Sequence, residues 1–110
     1  MEIGIRKISD IDIVDINGSL DTGTAMEAEN FFISIINQGS IKIAVNCTEL
    51  KYISSAGLRI FLVAAKRLKE KGGELRLTNL NETVREVFEI SGFDTIFNVL
   101  STEEEGLKDF

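Results

Sequence analysis

Two adjacent hydroxyls, Ser54 and Ser55, lie in the stretch YISSAGLRIFL, where an apolar strand-like run gives way to residues with helical spacing. Serine is among the best residues at the N-terminus of a helix, and one such cap stabilises by about 0.5–2 kcal/mol. A cap needs one hydroxyl, so the second would face outward beside the small residues Ala56 and Gly57. Because free amides and the helix dipole attract anions at this position, a phosphate on the outward serine would be tolerated. The stretch therefore predicts either simple capping or a modified serine.

Catalytic interpretations of these serines are weakened by the absence of histidine from the 110 residues. Without histidine there is no Ser-His-Asp triad, the usual general base is missing, and most kinds of zinc site are excluded. A serine hydrolase would have to use Lys51 as the base for Ser55, and no Gly-x-Ser-x-Gly elbow surrounds that serine. We therefore expect a protein that is not an enzyme.

Composition predicts one domain over residues 1–110, with 44% hydrophobic and 27% charged residues. The net charge of −6 and the lack of a basic stripe argue against a nucleic-acid partner. No apolar run approaches the roughly 18 residues of a membrane span, and the acidic N-terminus is not a secretory signal. The single cysteine, Cys47, lies in an apolar run and suits a small buried side chain in a reducing cytoplasm.

Strand patterns predict a mixed sheet. The runs 2–8 and 11–17, separated by Ser9-Asp10, indicate an antiparallel hairpin, and further strands are expected over 41–47, 74–78 and 96–100. Apolar and polar residues alternate in the runs 41–47 and 74–78, which indicates one packed face and one wet face. Right-handed crossovers would then place the helices on the packed face. We predict a two-layer α/β fold with four to five strands, an N-terminal antiparallel hairpin followed by parallel strands, and about four helices on one face.

This fold assigns side chains to its two faces. The residues expected on the wet face are Lys42, Glu74 and Arg76, and those expected to share one core are Phe32, Ile43, Leu62, Leu75 and Phe88.

Helix boundaries follow from capping patterns. Thr24 with Glu27, and Thr102 with Glu105, have the spacing of a capping box, and each should open a helix. The third helix should be capped at Asn81 or Asn79. The first three helices should end at the glycines Gly39, Gly72 and Gly92.

Three segments resemble the STAS domain family, and specifically its small bacterial anti-sigma-factor antagonists. The segment NGSLDTGTA (17–25) is similar to the family's Gly-x-Leu-Asp segment, and YISSAGLRIFL (52–62) to its strand–Ser–Gly-Leu signature. The segment VREVFEISGFDTIFNV (84–99) is similar to the third helix with its Ser-Gly end and the last strand. With the matching spacing, the resemblance covers nearly the whole chain and implies a STAS-like fold.

The resemblance also implies a phosphorylation site. The family's phosphorylated serine corresponds to Ser55, with Ser54 as the second choice. The preceding residue is often aspartate in these antagonists and is Ser54 here, while the following one is often serine and is Ala56. The acidic residue of the Gly-x-Leu-Asp segment corresponds to Asp21, which a turn would explain equally well. The expected partner-binding residues are Asp21, Thr22, Ser54, Ser55, Ala56 and Gly57.

For function, the resemblance implies a partner-switching cycle. The unmodified protein would bind an anti-sigma factor that is also a serine kinase, and so release the sigma factor. Phosphorylation at Ser55 would end that binding, and a serine phosphatase would restore it. The chain would need no cofactor, since ATP and magnesium belong to the kinase. An alternative within the family is a STAS binding module that works without phosphorylation in a transporter-associated or stress-sensing assembly.

Overall fold

The computed structural model describes residues 1–110 as a six-stranded sheet with four α-helices and one 3-10 turn. The strands are β1 (Glu2–Ile8), β2 (Ile11–Leu20), β3 (Lys42–Asn46), β4 (Leu50–Ile53), β5 (Glu74–Thr78) and β6 (Asn98–Leu100). The helices are α1 (Ala25–Asn37), α2 (Ser55–Glu70), α3 (Glu82–Ser91) and α4 (Glu103–Gly106), and the 3-10 turn is Phe93–Thr95.

The long strand β2 has three neighbours. Along the sheet the order is β1-β2-β3-β5-β6, with β1 antiparallel to β2 and the other pairs parallel. The first part of β2 pairs with β3, whereas its end pairs in parallel with β4, so that Leu20 faces Ile53. A register shift between Gly18 and Ser19 separates the two parts. This arrangement brings the end of β2 beside the segment that leads into α2.

The mixed sheet with an N-terminal hairpin and parallel strands is confirmed, and Ser9-Asp10 forms the hairpin turn. The structure adds β4 as a sixth strand, where the sequence indicated only an approach to the second helix. The four residues of β4 are buried at both ends and exposed in the middle. They therefore lack the alternation of apolar and polar residues by which a strand is predicted from sequence.

Aromatic side chains form the centre of the main core. Phe61 of α2 lies between Phe32 of α1 and Phe88 of α3, with ring centroids 6.1 and 6.4 Å away. All three rings are buried, and they share one apolar cluster with Ile43 and Leu75 of the sheet. The predicted core is confirmed for Phe32, Ile43, Leu75 and Phe88. Leu62 is only partly buried, at the edge of the same cluster.

The opposite face of the sheet is covered in part by the C-terminus. Leu107 and Phe110 pack on a second apolar cluster formed by Ile11, Ile13 and Ala44. Since neighbouring residues of a strand point to opposite faces, this cluster lies behind the main core. The expectation that all helices lie on one face therefore fails for α4, which packs behind the sheet, while α1, α2 and α3 share the front.

Arg76 holds the C-terminal segment in place. It was expected to face solvent, and this is wrong, because the residue is only 7% exposed. Its guanidinium donates to the backbone carbonyl oxygens of Gly106 at 3.2 Å and Asp109 at 2.7 Å, and also to that of Lys108. The same group lies 4.2 Å from the ring centroid of Phe110. Alternation in β5 cannot distinguish a solvent-facing position from one that the end of the chain covers.

A second arginine ties the N-terminal hairpin to α4. Arg6 of β1 donates to Asp15 of β2, with 2.6 Å between Nε and Oδ2, and to Glu103 of α4. The hydrogen bond from Arg6 holds the pKa of Asp15 below its usual range.

We expect Arg76→Met to reduce the free energy of unfolding by about 1–3 kcal/mol, because the carbonyl groups that Arg76 holds lose their donor. Urea denaturation measures this loss, and hydrogen exchange should show faster exchange in residues 103–110. The matched control is Arg85→Met on the exposed side of α3, which should change stability by less than about 0.5 kcal/mol. Equal effects of the two substitutions would contradict the anchoring role of Arg76.

Candidate functional site

The two serines have different roles at the start of α2. Ser54 is the N-cap, with an extended backbone, and its hydroxyl accepts a hydrogen bond from the amide of Gly57 at 3.4 Å. Ser55 is the first helical residue, and its side chain is exposed. Ser54 is therefore engaged in the fold, while the hydroxyl of Ser55 is available to another molecule.

The first turn of α2 carries no acidic side chain, whereas α1, α3 and α4 each have at least one there. Arg67 and Lys69 lie in its last turn, where cations suit the negative end of the helix dipole. The positive end of the α2 dipole is therefore not offset by the helix's own carboxylates.

The end of β2 touches the start of α2 through the backbone. The amide of Ser54 donates to the carbonyl oxygen of Leu20 at 2.9 Å. A Cβ atom added to Gly57 would lie 2.6 Å from that oxygen and 2.7 Å from Cγ1 of Ile53. Only glycine permits this approach, and the approach places the loop after Leu20 beside the serines.

In that loop, Asp21 behaves as a turn residue. Its carboxylate accepts a hydrogen bond from the amide of Gly23 at 2.9 Å, and Thr22 next to it is exposed. The capping box predicted at Thr24 is wrong. Its hydroxyl donates to the carbonyl oxygen of Ser19 and accepts from the amide of Asp21, so it closes the loop and does not bond to the amides of α1.

A groove between α1 and α2 begins at this place. It encloses about 330 Å³. Its lining residues are Thr22, Ala25, Met26, Glu29, Ala56, Arg59 and Ile60. Met26 is 76% exposed, so the groove has an apolar side chain that faces solvent.

The structure thus brings the predicted residues of both segments together and extends them along the groove. The lining residues that sequence reasoning missed are Ala25, Met26, Glu29, Arg59 and Ile60. One signal was available, because Met26 is apolar yet lies outside the helical stripe of buried residues that includes Ala28 and Phe32.

A larger cavity of about 450 Å³ lies at the other end of the sheet, beside the hairpin turn, and none of the predicted partner-binding residues lines it. Its charged groups are paired within the chain. Asp10 accepts from Lys42 at 2.7 Å, and buried Asp12 accepts from Ser40 and from Lys7. These pairs account for the charges in structural terms.

Catalytic groups do not assemble around Ser55. Lys51 is exposed on β4 and is not hydrogen-bonded to Ser55. Burial raises the pKa of the Cys47 thiol to about 12, so that thiol is not a nucleophile at neutral pH. No three Cys, Asp or Glu side chains are grouped as a metal site requires.

None of the helices combines the length and the apolar character that crossing a membrane requires.

The model of the STAS domain family matches residues 2–106 of the chain. The chain belongs to this family. Among curated relatives, this STAS domain is 38% identical to BtrV of Bordetella bronchiseptica, which is named an anti-sigma factor antagonist, over 94% of the chain and 90% of BtrV. The family resemblance found in the sequence is thereby confirmed, and the family is one of regulatory proteins.

Solved structures of anti-sigma factor antagonists share the fold of the STAS domain. One from Thermotoga maritima has a TM-score of 0.92 at 22% identity, covering 97% of this chain and 92% of its own. The cell fate determinant SpoIIAA of Bacillus, in its phosphorylated form, has a TM-score of 0.73 at 24% identity, covering 96% of both chains.

We expect Gly57→Ala to destabilise the STAS domain by at least about 1–3 kcal/mol, because its methyl group has no space beside Leu20. The matched control is Gly4→Ala, where an added Cβ meets nothing within 4 Å. Thermal and urea unfolding of both variants measure the difference. An unchanged stability of Gly57→Ala would show that the contact between β2 and α2 is looser than described.

Replacing each of the two serines by alanine should change the free energy of unfolding by different amounts. Ser54→Ala removes the cap and should lower the free energy of unfolding by about 0.5–2 kcal/mol. Ser55→Ala removes an exposed hydroxyl and should change it by less than about 0.5 kcal/mol. Urea denaturation of the two variants compares them directly. A larger loss for Ser55→Ala would reverse the assignment of the capping residue.

Proposed function

We propose that this STAS domain is an anti-sigma-factor antagonist whose partner binding is switched by phosphorylation at Ser55. The unmodified protein binds an anti-sigma factor that is also a serine kinase, and the sigma factor is released. Phosphorylation at Ser55 ends the binding, and a serine phosphatase restores the unmodified form. The protein is a substrate and binding partner in this cycle and not a catalyst, and ATP and magnesium belong to the kinase.

The observation that carries the proposal is the exposed hydroxyl of Ser55 at the first position of α2, beside a separate serine that caps the helix. A kinase can reach this hydroxyl without breaking a hydrogen bond that the fold requires. Two comparisons support the assignment. BtrV is named an anti-sigma factor antagonist, and SpoIIAA is known in a phosphorylated form.

The proposed binding surface consists of Asp21, Thr22, Ser54, Ser55 and Ala56, and the sixth predicted residue, Gly57, is buried beneath it against Leu20. The contact between Leu20 and the start of α2 supports it, because it joins the two loops into one surface. The groove between α1 and α2 extends this surface, and exposed Met26 offers an apolar anchor of the kind found in the centre of interfaces.

A phosphate at Ser55 should act on the interface and hardly on the fold. The positive end of the α2 dipole stabilises an anion by about 0.3–1 kcal/mol, and screened repulsion from Asp21 opposes this effect. A partner that covers Ser55 has no such compensation, since it must desolvate a group of about −1.5 to −2 charges. Changing a mostly bound population into a mostly free one needs about 5.5 kcal/mol, which a buried phosphate can supply more readily than one carboxylate.

We expect Ser55→Ala to bind the anti-sigma factor whether or not ATP is present, and to incorporate no phosphate. Ser55→Asp should bind more weakly than the unmodified protein but more strongly than the phosphorylated one. Binding titrations with the kinase, with and without ATP, measure the affinities, and mass spectrometry locates the phosphate.

The matched control for added charge is Ser101→Asp, at an exposed serine outside the proposed surface, which should leave the affinity unchanged. Phosphate on Ser54 would move the modified residue by one position. Partner binding with no phosphate on either serine would contradict the switch and favour a STAS module that works without phosphorylation.

A further inference from the structure

Arg59 is a free cation one helical turn beyond Ser55. Its side chain is exposed on α2, and it takes part in none of the five ion pairs of the chain. Glu29, the one carboxylate among the residues that line the groove, also forms no ion pair, so Arg59 is not held by it. The charge of Arg59 is therefore available to a new partner.

Helix geometry makes Ser55 and Arg59 neighbours. Residues four apart on a helix have Cβ atoms about 5–6 Å apart, and an acid that precedes a base by four residues is the favourable order. A phosphate on Ser55 would stand in that order with Arg59. The guanidinium has a planar set of donors that suits phosphate oxygens, and the pair would be charged on both sides.

Arg59 also lines the groove between α1 and α2, together with Ala56 and Ile60 from the same helix. It is the one cation among the lining residues. A change in its position therefore changes the charge of the groove. Arg59 is therefore a neighbour of the modified serine and also part of the surface that the partner is proposed to contact.

We propose that Arg59 is the internal counter-ion of a phosphate on Ser55. While Ser55 is unmodified, Arg59 instead lies in the groove and contacts an acidic side chain of the anti-sigma factor. The proposal rests on the proposed function in taking Ser55 as the phosphorylated residue. Phosphorylation then alters the interface twice, because it adds a phosphate at the start of α2 and withdraws the guanidinium from the groove. A structural role for Arg59 would involve only the packing of its aliphatic stem on the groove, and would not depend on the phosphate.

The pairing can be tested without a kinase, by incorporating phosphoserine at position 55 during translation. Phosphorus NMR then follows the second ionisation of the phosphate with pH, at an ionic strength of about 0.1 M, where the screening length is about 10 Å. A nearby cation favours the dianion and so lowers the second pKa of the phosphate. We expect this pKa to be higher by about 0.2–0.4 in Arg59→Gln than in the parent protein, from the usual strength of such helix pairs.

Two control variants make the result specific. Arg67→Gln removes an exposed cation about 18 Å along the same helix, beyond the screening length, and should leave the pKa of the phosphate unchanged. Arg59→Lys keeps the charge and should keep the pKa low. The same pKa in the parent protein and in Arg59→Gln overturns the counter-ion role, even if the kinase is later found to phosphorylate Ser55.

The groove contact is tested with unmodified protein and the anti-sigma factor. Arg59→Gln should weaken binding about tenfold, which corresponds to a loss of about 1.4 kcal/mol for one charged contact. Arg67→Gln should leave the affinity unchanged. Equal affinity of Arg59→Gln and the parent protein overturns the groove contact. A partner that binds both forms of the protein equally, while the pKa of the phosphate still depends on Arg59, would contradict the proposed function and leave the ion pair established.

Discussion

Gly57 lies against the carbonyl oxygen of Leu20 so closely that no other residue fits between α2 and the end of β2. This contact is possible because β4 pairs with the last residues of β2, beyond the part of β2 that pairs with β3. The start of α2 and the loop after β2 are consequently held at a fixed distance. The candidate site depends on this constraint, because its residues come from both segments.

At the start of α2, one serine is engaged in the fold and the other is exposed. Ser54 has a hydrogen bond that the helix needs, and its position is set by the backbone bond to Leu20. Ser55 has neither restriction. A modification at Ser55 can therefore change the charge of the surface while the sheet, the core around Phe61 and the cap remain as they are. This separation is what the proposed switch requires, because the charge at the surface would change while the fold stayed the same.

Local signals in the sequence predicted much of this structure. Asn81 and Thr102 cap the third and fourth helices through their side chains, and Gly92 ends α3 in the left-handed conformation, as their residue types indicate. The hairpin around Ser9-Asp10 and the capping serine were also accessible, because each depends on a few neighbouring residues.

The features that sequence reasoning missed depend on contacts between distant parts of the chain. Arg76 has the alternation of an exposed strand residue, and only the returning C-terminus buries it. Thr24 has the spacing of a capping box, but the carbonyl oxygen of Ser19 competes for its hydroxyl. The groove requires α1 and α2 to be placed side by side, so Arg59 and Glu29 could not be associated from their positions in the sequence.

The central claim is that the chemical state of Ser55 decides whether the partner binds. It is tested most directly by measuring the affinity of the anti-sigma factor for two forms of the protein, one unmodified and one with phosphoserine introduced at position 55. The account predicts that the modified form binds roughly 10⁴-fold more weakly, enough to change a bound population into a free one. Equal affinity of the two forms would contradict it.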